Sequence, residues 1–315
     1  MSALLGEGDF KYEALDRWEK LPDGKRLIEC PGVAVDSADR VYVLTRNTDN
    51  PVVVFDRDGN WLYSFGQGVF TDRSHGIFIG PDDAVYCVDT DTHTMTKFTA
   101  EGELLMTIGN PGEPSTKWGG KPFNRPTHAG VSPTTGNIYI TDGYGNSRVH
   151  KFSSDGEHLH SWGEAGIDPG QFIWPHNLAV DAQEQIYVAD RECHRVQIFD
   201  GDGKFITMWN NIHRPDGLTI GPDGNVYIGE LNSWPAIDAP GMGHRVSVLS
   251  PKGQLLARFG DPEEGEEPGK FIAPHGIAVD SRGDIYVGEV SYTISGRNLD
   301  PPRELKSLKK LRKVG

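Results

Sequence analysis

Three histidines of this chain stand in one repeated phrase. It reads "RSHGIFIG" at 73–80, "WPHNLAVD" at 174–181 and "APHGIAVD" at 273–280, with His75, His176 and His275 just ahead of an apolar run. Neutral imidazole is a preferred ligand of zinc, and three such ligands leave a fourth position open for water or substrate. The same set also suits iron, cobalt or manganese. The phrase therefore predicts a metal centre, provided the fold aims the three side chains at one point. The other reading is that these histidines cap strands or line a wet channel without metal.

Whether they meet depends on the elements that carry them. Strand phrases of one design recur six times. They are "VAVDSADRVYVLT" at 33–45, "IFIGPDDAVYCVD" at 77–89, "AGVSPTTGNIYITD" at 129–142, "LAVDAQEQIYVAD" at 178–190, "LTIGPDGNVYIGE" at 218–230 and "IAVDSRGDIYVGE" at 277–289. Each holds two β-rich runs joined by a Pro/Asp/Gly turn, and the first five are followed by a third strand, a hairpin and a fourth. Six such units predict an all-β fold, a six-bladed β-propeller, as a single domain over 1–315. The blades fall at about 31–66, 74–109, 126–163, 175–210, 215–260 and 274–314. The last lacks a fourth strand, and "YEALDRWEKL" at 12–21 is expected to supply it and close the ring. The basic run from Arg303 to Lys313 then reads as an edge strand protected by its charges.

Aligned on the first strand of each unit, one column reads Pro31, His75, Thr127, His176, Asp216, His275. Histidine falls on blades two, four and six, which in a propeller points three imidazoles at the axis from three directions. Asp216 and Thr127 share the column and become candidate substrate or pore-ring residues. His128 lies one residue past it and is expected to face elsewhere. A second ring sits at the end of the second strand, in Asp89, Asp142, Asp190, Glu230 and Glu289; repetition in nearly every blade marks it as architectural. Arg46 and Arg191 follow this ring directly, and Tyr144 lies two past Asp142. They are candidate catalytic residues: guanidinium groups to pair with a carboxylate, and a phenol to move a proton. Taken singly, each has an ordinary reading, a surface ion pair or a packed aromatic. The loop "LNSWPAIDAPGMGH" at 231–244 is long enough to be a lid, whereas 110–125 and 261–273 read as solvated connectors.

Bulk composition excludes several classes. The 315 residues carry a formal net charge of −14, which argues against a nucleic-acid partner. The cysteines, Cys30, Cys87 and Cys193, are odd in number and lack finger spacing, as expected in a reducing compartment. The N-terminal residues show neither a basic start nor an apolar run, and no stretch suits a bilayer. The expectation is a cytoplasmic protein with a small-molecule or peptide-like substrate and no membrane partner.

The stretch 163–199, "GEAGIDPGQFIWPHNLAVDAQEQIYVADRECHRVQIF", resembles an NHL repeat. With "TDGYGNSR" at 141–148 and "VADRECHR" at 188–195, it is similar to peptidyl-α-hydroxyglycine α-amidating lyase. That resemblance implies a zinc lyase on a six-bladed propeller, cleaving the C–N bond of a carbinolamide. It implies His75, His176 and His275 as ligands, Tyr144 as the catalytic phenol, and Arg191 and Arg46 as substrate-binding groups. A disulfide of that family would fall where this chain has Asn124 and Gly145. A structural calcium would use an acid where this chain has Gly276, leaving the backbone oxygens of Val33 and Ile77. The rival expectations are a binding platform without chemistry and a metal-dependent hydrolase or lactonase.

Overall fold

A computed structural model of the chain describes residues 2–232 and 241–314. Six antiparallel sheets are the six blades of a β-propeller. By contacts the chain divides into two compact units, Met1–Gln67 with Asp216–Gly315, and Gly68–Pro215.

The unit Gly68–Pro215 holds blades two, three and four. Their first strands are Ser74–Ile79, His128–Val131 and Pro175–Val180, and their second strands Val85–Asp89, Ile138–Asp142 and Ile186–Asp190. All three second strands are buried along their whole length, because a blade packs on both faces. The other unit holds blades one, five and six, whose first strands are Gly32–Val35, Pro215–Ile220 and Pro274–Val279.

A repeated Asp–Tyr pair explains the turn phrase. The Tyr42 hydroxyl donates to Asp36, Tyr187 to Asp181, Tyr227 to Asp223 and Tyr286 to Asp280, at 2.9–3.2 Å. In blades one, four and six the Asp also accepts backbone N–H groups of its own turn. One carboxylate thus caps the turn and satisfies a phenol sunk among apolar neighbours. The acid ring is architectural in the same sense: Asp89, Asp142, Asp190 and Glu289 accept the backbone N–H of Thr71, Asn124, Ile173 and Ile272.

Blade six is closed from the N-terminus, as the sequence predicts, by Tyr12–Leu15 pairing with Leu308–Lys313. The closing strand is shorter than expected. Trp18 has already left it, to pack on Phe55 and Tyr286. A fifth strand, Ala3–Leu5, extends the sheet beyond the four expected. The basic run is not an edge. Leu308–Lys313 is paired on both sides, with Ile285–Glu289 and Tyr12–Leu15. Its charges are consumed inside the unit: Lys310 Nζ reaches Asp284 at 3.2 Å, and Lys309 Nζ donates to the carbonyl of Glu266 at 3.0 Å.

Candidate functional site

Each of the three phrase histidines sits on a β-bulge. Ser74 pairs with Asp89 and Gly76 with Val88, so the register slips at His75. The same slip occurs between Pro175 and Asn177, at His176, and between Pro274 and Gly276, at His275. A bulge turns a side chain out of the regular alternation, which is how a strand frees a residue for another task.

In the unit Gly68–Pro215, His75 and His176 are buried and lie edge to face, ring centroids 4.7 Å apart. A ring nitrogen of each lies within 4.8 Å of the other's. His75 Nδ1 donates to the Thr127 carbonyl oxygen at 2.8 Å, which fixes the tautomer and makes Nε2 the atom that could hold a metal. His275, in the other unit, repeats this device: its Nδ1 donates to the Pro31 carbonyl oxygen at 2.6 Å. Pro31 and Thr127 are the neighbouring members of the same sequence column, so one blade's column residue orients the histidine of the blade before it.

Tyr144 is half-buried, and its hydroxyl lies 2.8 Å from His75 Nε2 and 3.1 Å from His176 Nε2. The ring stands edge-on to Trp174, centroids 5.3 Å apart. The Arg191 guanidinium lies over both aromatic rings, 4.9 Å from the Trp174 centroid and 5.7 Å from that of Tyr144. Its Nε donates to Glu192 at 2.8 Å, and the same Glu192 oxygen accepts from Arg214 Nη2 at 2.8 Å. Two buried arginines thus share one carboxylate beside the phenol. The structure brings Tyr144, His75, His176 and Arg191 into one cluster.

The remaining candidates divide. Arg46 is buried in its own unit and held by Glu29, Nη1 to Oε1 2.5 Å, and by Thr293 Oγ1 at 2.9 Å. Thr127 spends its hydroxyl on Thr141 and on the Pro175 carbonyl; its contribution to the cluster is the backbone oxygen that orients His75. Asp216 is wholly buried at the head of the blade-five first strand. Val33 and Ile77 are buried on the first strands of blades one and two. Position 276, where the acid ligand of a structural calcium would stand, is a glycine, so only oxygens other than that carboxylate would be left to such an ion. Burial pushes His128 down to about 3, so the ring is neutral.

Sequence reasoning missed Trp174, Glu192 and Arg214. A signal was present: Arg125, Trp174 and Arg214 each precede the proline of the column phrase, and all three adopt positive φ, 63°, 62° and 37°. Strained backbone of this kind clusters at functional sites. It also missed a corner shared by His93, His194 and His244, each left-handed at the start of a third strand. His93 and His194 accept the backbone N–H of Arg125 and Arg214 through Nδ1, and His244 donates to the Ile272 carbonyl. Of the long loop at 231–244, residues 233–240 lie outside the described residues.

Comparison with known proteins places this geometry among relatives. The family model described as NHL repeat matches residues 172–199. NHL repeat-containing protein 3 of Homo sapiens is 32% identical over 279 residues, covering 82% of this chain and 76% of that protein. Peptidyl-alpha-hydroxyglycine alpha-amidating lyase 1 of Drosophila melanogaster is 29% identical, over 80% of this chain; the chain spans about half, 49%, of its length. Among solved structures, a streptogramin B lyase superposes with a TM-score of 0.63 at 13% identity, covering 95% of this chain and 99% of that one, a likeness of fold. No helix among the described residues is long and apolar enough to cross a membrane.

Proposed function

The chain belongs to the NHL-repeat protein family, and on that premise we propose that it is a metal-dependent lyase acting on an N-(α-hydroxyalkyl) amide. His75, His176 and His275 would hold one divalent transition-metal ion, with zinc favoured by the all-imidazole donor set. The ion, when bound, supplies Lewis acidity at a substrate oxygen. Tyr144 removes the proton of the substrate hydroxyl. The C–N bond then breaks with its electron pair on nitrogen, which takes up a proton, and the products are a primary amide and an aldehyde. Arg191 binds a carboxylate on the carbon that becomes the aldehyde, with Arg46 as its counterpart on blade one. A reducing, cytoplasmic setting goes with this reading, supported by three cysteines present as free thiols.

The observation that carries the proposal is the phenol of Tyr144 set between the imidazoles of His75 and His176, the first of them oriented from behind by the Thr127 carbonyl. Support also comes from a relative named as an amidating lyase. The test is elemental analysis of protein purified without chelator, together with a glyoxylate assay on α-hydroxyhippurate. About one zinc per chain and chelator-sensitive glyoxylate release are expected. Protein free of transition metal, with no release, would overturn the lyase and leave a binding platform.

A further inference from the structure

The segment 110–125, which the sequence presents as a solvated connector, is built onto the turn that carries Tyr144. Its stretch 115–124 first closes on itself: Ser115 N donates to the Phe123 carbonyl at 2.8 Å and Ser115 Oγ to that of Lys121 at 2.7 Å. It then grips residues 142–146 from several sides. Asn124 N donates to Asp142 at 2.9 Å, and Trp118 N to the Gly145 carbonyl at 2.9 Å. Asn146 Nδ2 donates to the Lys121 carbonyl at 2.9 Å and to Asp142 at 2.7 Å. Asn124 Nδ2 donates to the Ser115 carbonyl at 2.6 Å. Just past the strap, the Arg125 carbonyl accepts from Tyr144 N at 3.4 Å.

The residues flanking the phenol have no room for a side chain. A Cβ on Gly143 would meet the Pro175 carbonyl oxygen at 2.3 Å, and one on Gly145 would meet Asn124 Oδ1 at 2.1 Å. Both neighbours of Tyr144 are therefore pressed against fixed backbone or an amide that is itself hydrogen-bonded.

We propose that Asn124 and Asn146 are positioning residues for Tyr144, acting through this strap. The inference rests on the lyase reading for its kinetic consequence. Neither amide touches the phenol; Asn146 ties the turn to the strap at Lys121, and Asn124 braces the strap through Ser115 and packs its Oδ1 against Gly145, so that the hydroxyl falls between His75 and His176. A reacting group displaced by about 1 Å loses on the order of 10²-fold in rate.

The experiment uses the full chain with Asn124→Ala, Asn146→Ala and the milder Ser115→Ala. The first two should lower kcat for glyoxylate release by roughly 10–100-fold, with KM and bound metal unchanged. Amide hydrogen exchange at 143–147 should accelerate in the same order. Ser115→Ala should show a smaller loss of the same kind and covers the case in which an Asn variant fails to fold. Wild-type kcat and wild-type exchange in folded variants would overturn the proposal. If the wild-type protein releases no glyoxylate the lyase reading falls, and exchange at 143–147 alone decides the strap: acceleration upholds it and unchanged protection overturns it.

Discussion

The phenol oxygen of Tyr144 stands 3.1 Å from Nε2 of His176. Since the same oxygen is 2.8 Å from His75 Nε2, one hydroxyl proton faces two imidazole nitrogens. A phenol so placed is beside two of the proposed metal ligands and can move a proton at the substrate they would share. Removing the hydroxyl and removing the imidazole should therefore have different effects. Tyr144→Phe should keep its metal and lose roughly 10²–10⁴-fold in kcat, read by glyoxylate assay beside elemental analysis. His176→Ala should lose metal as well as turnover, with an unchanged far-ultraviolet circular dichroism spectrum.

The Thr127 carbonyl is the part that orients His75, and it can be disturbed without touching either residue's side chain. A Cβ on Gly76 would lie 2.5 Å from that oxygen, 2.8 Å from the His128 ring carbon Cδ2 and 3.0 Å from the His128 Cα. The nearest obstacle is backbone, so the strands must part. Gly76→Ala should weaken metal binding about 10–100-fold, the usual cost of losing a partner behind a metal-bound histidine. Competitive titration with a chromogenic chelator measures it.

Arg191 is held as a flat group on Trp174, a role that lysine cannot reproduce. Arg191→Lys should raise KM about tenfold or more, equivalent to about 1.4 kcal/mol of binding. Trp174→Leu should mimic it while Arg191 is still present. Equal KM values for wild type and both variants would remove Arg191 from substrate binding.

Acid should destabilise the fold through His128. The unfolded imidazole titrates near its ordinary 6.5 and the folded one near 3, because burial disfavours the cation. Between those values the unfolded chain binds a proton that the folded chain refuses. Stability from this group is thus intact above about pH 6.5 and is lost as pH falls toward 3. Going from pH 6.5 to 5 should cost on the order of 2 kcal/mol. Thermal melts across that range should slope more steeply for wild type than for His128→Gln.

Much of this was legible in the residues. The strand phrase, repeated six times, and the Asp–Tyr turn pair, seen in four of the blades, are local and dictate six blades although insertions stretch the period. The histidine column is equally local. The N-terminal strand completing blade six could be inferred because the last unit was visibly one strand short.

What sequence could not supply was register and company. It cannot show that His75, His176 and His275 each occupy a bulge, since a bulge is a mismatch between two strands. It read 303–313 as an edge, although Leu308–Lys313 lies between two partners brought from residues 12–15 and 285–289. It passed over Trp174, Glu192 and Arg214, whose task appears only when a turn after one strand meets the phrase before another. It read 110–125 as a connector because the hydrogen bonds that anchor it go to the turn at 142–146, the partners of Lys121 and Asn124 lying 25 and 18 positions away. Periodic local preference fixes which elements form; contacts between distant segments decide which side chains they bring to one point.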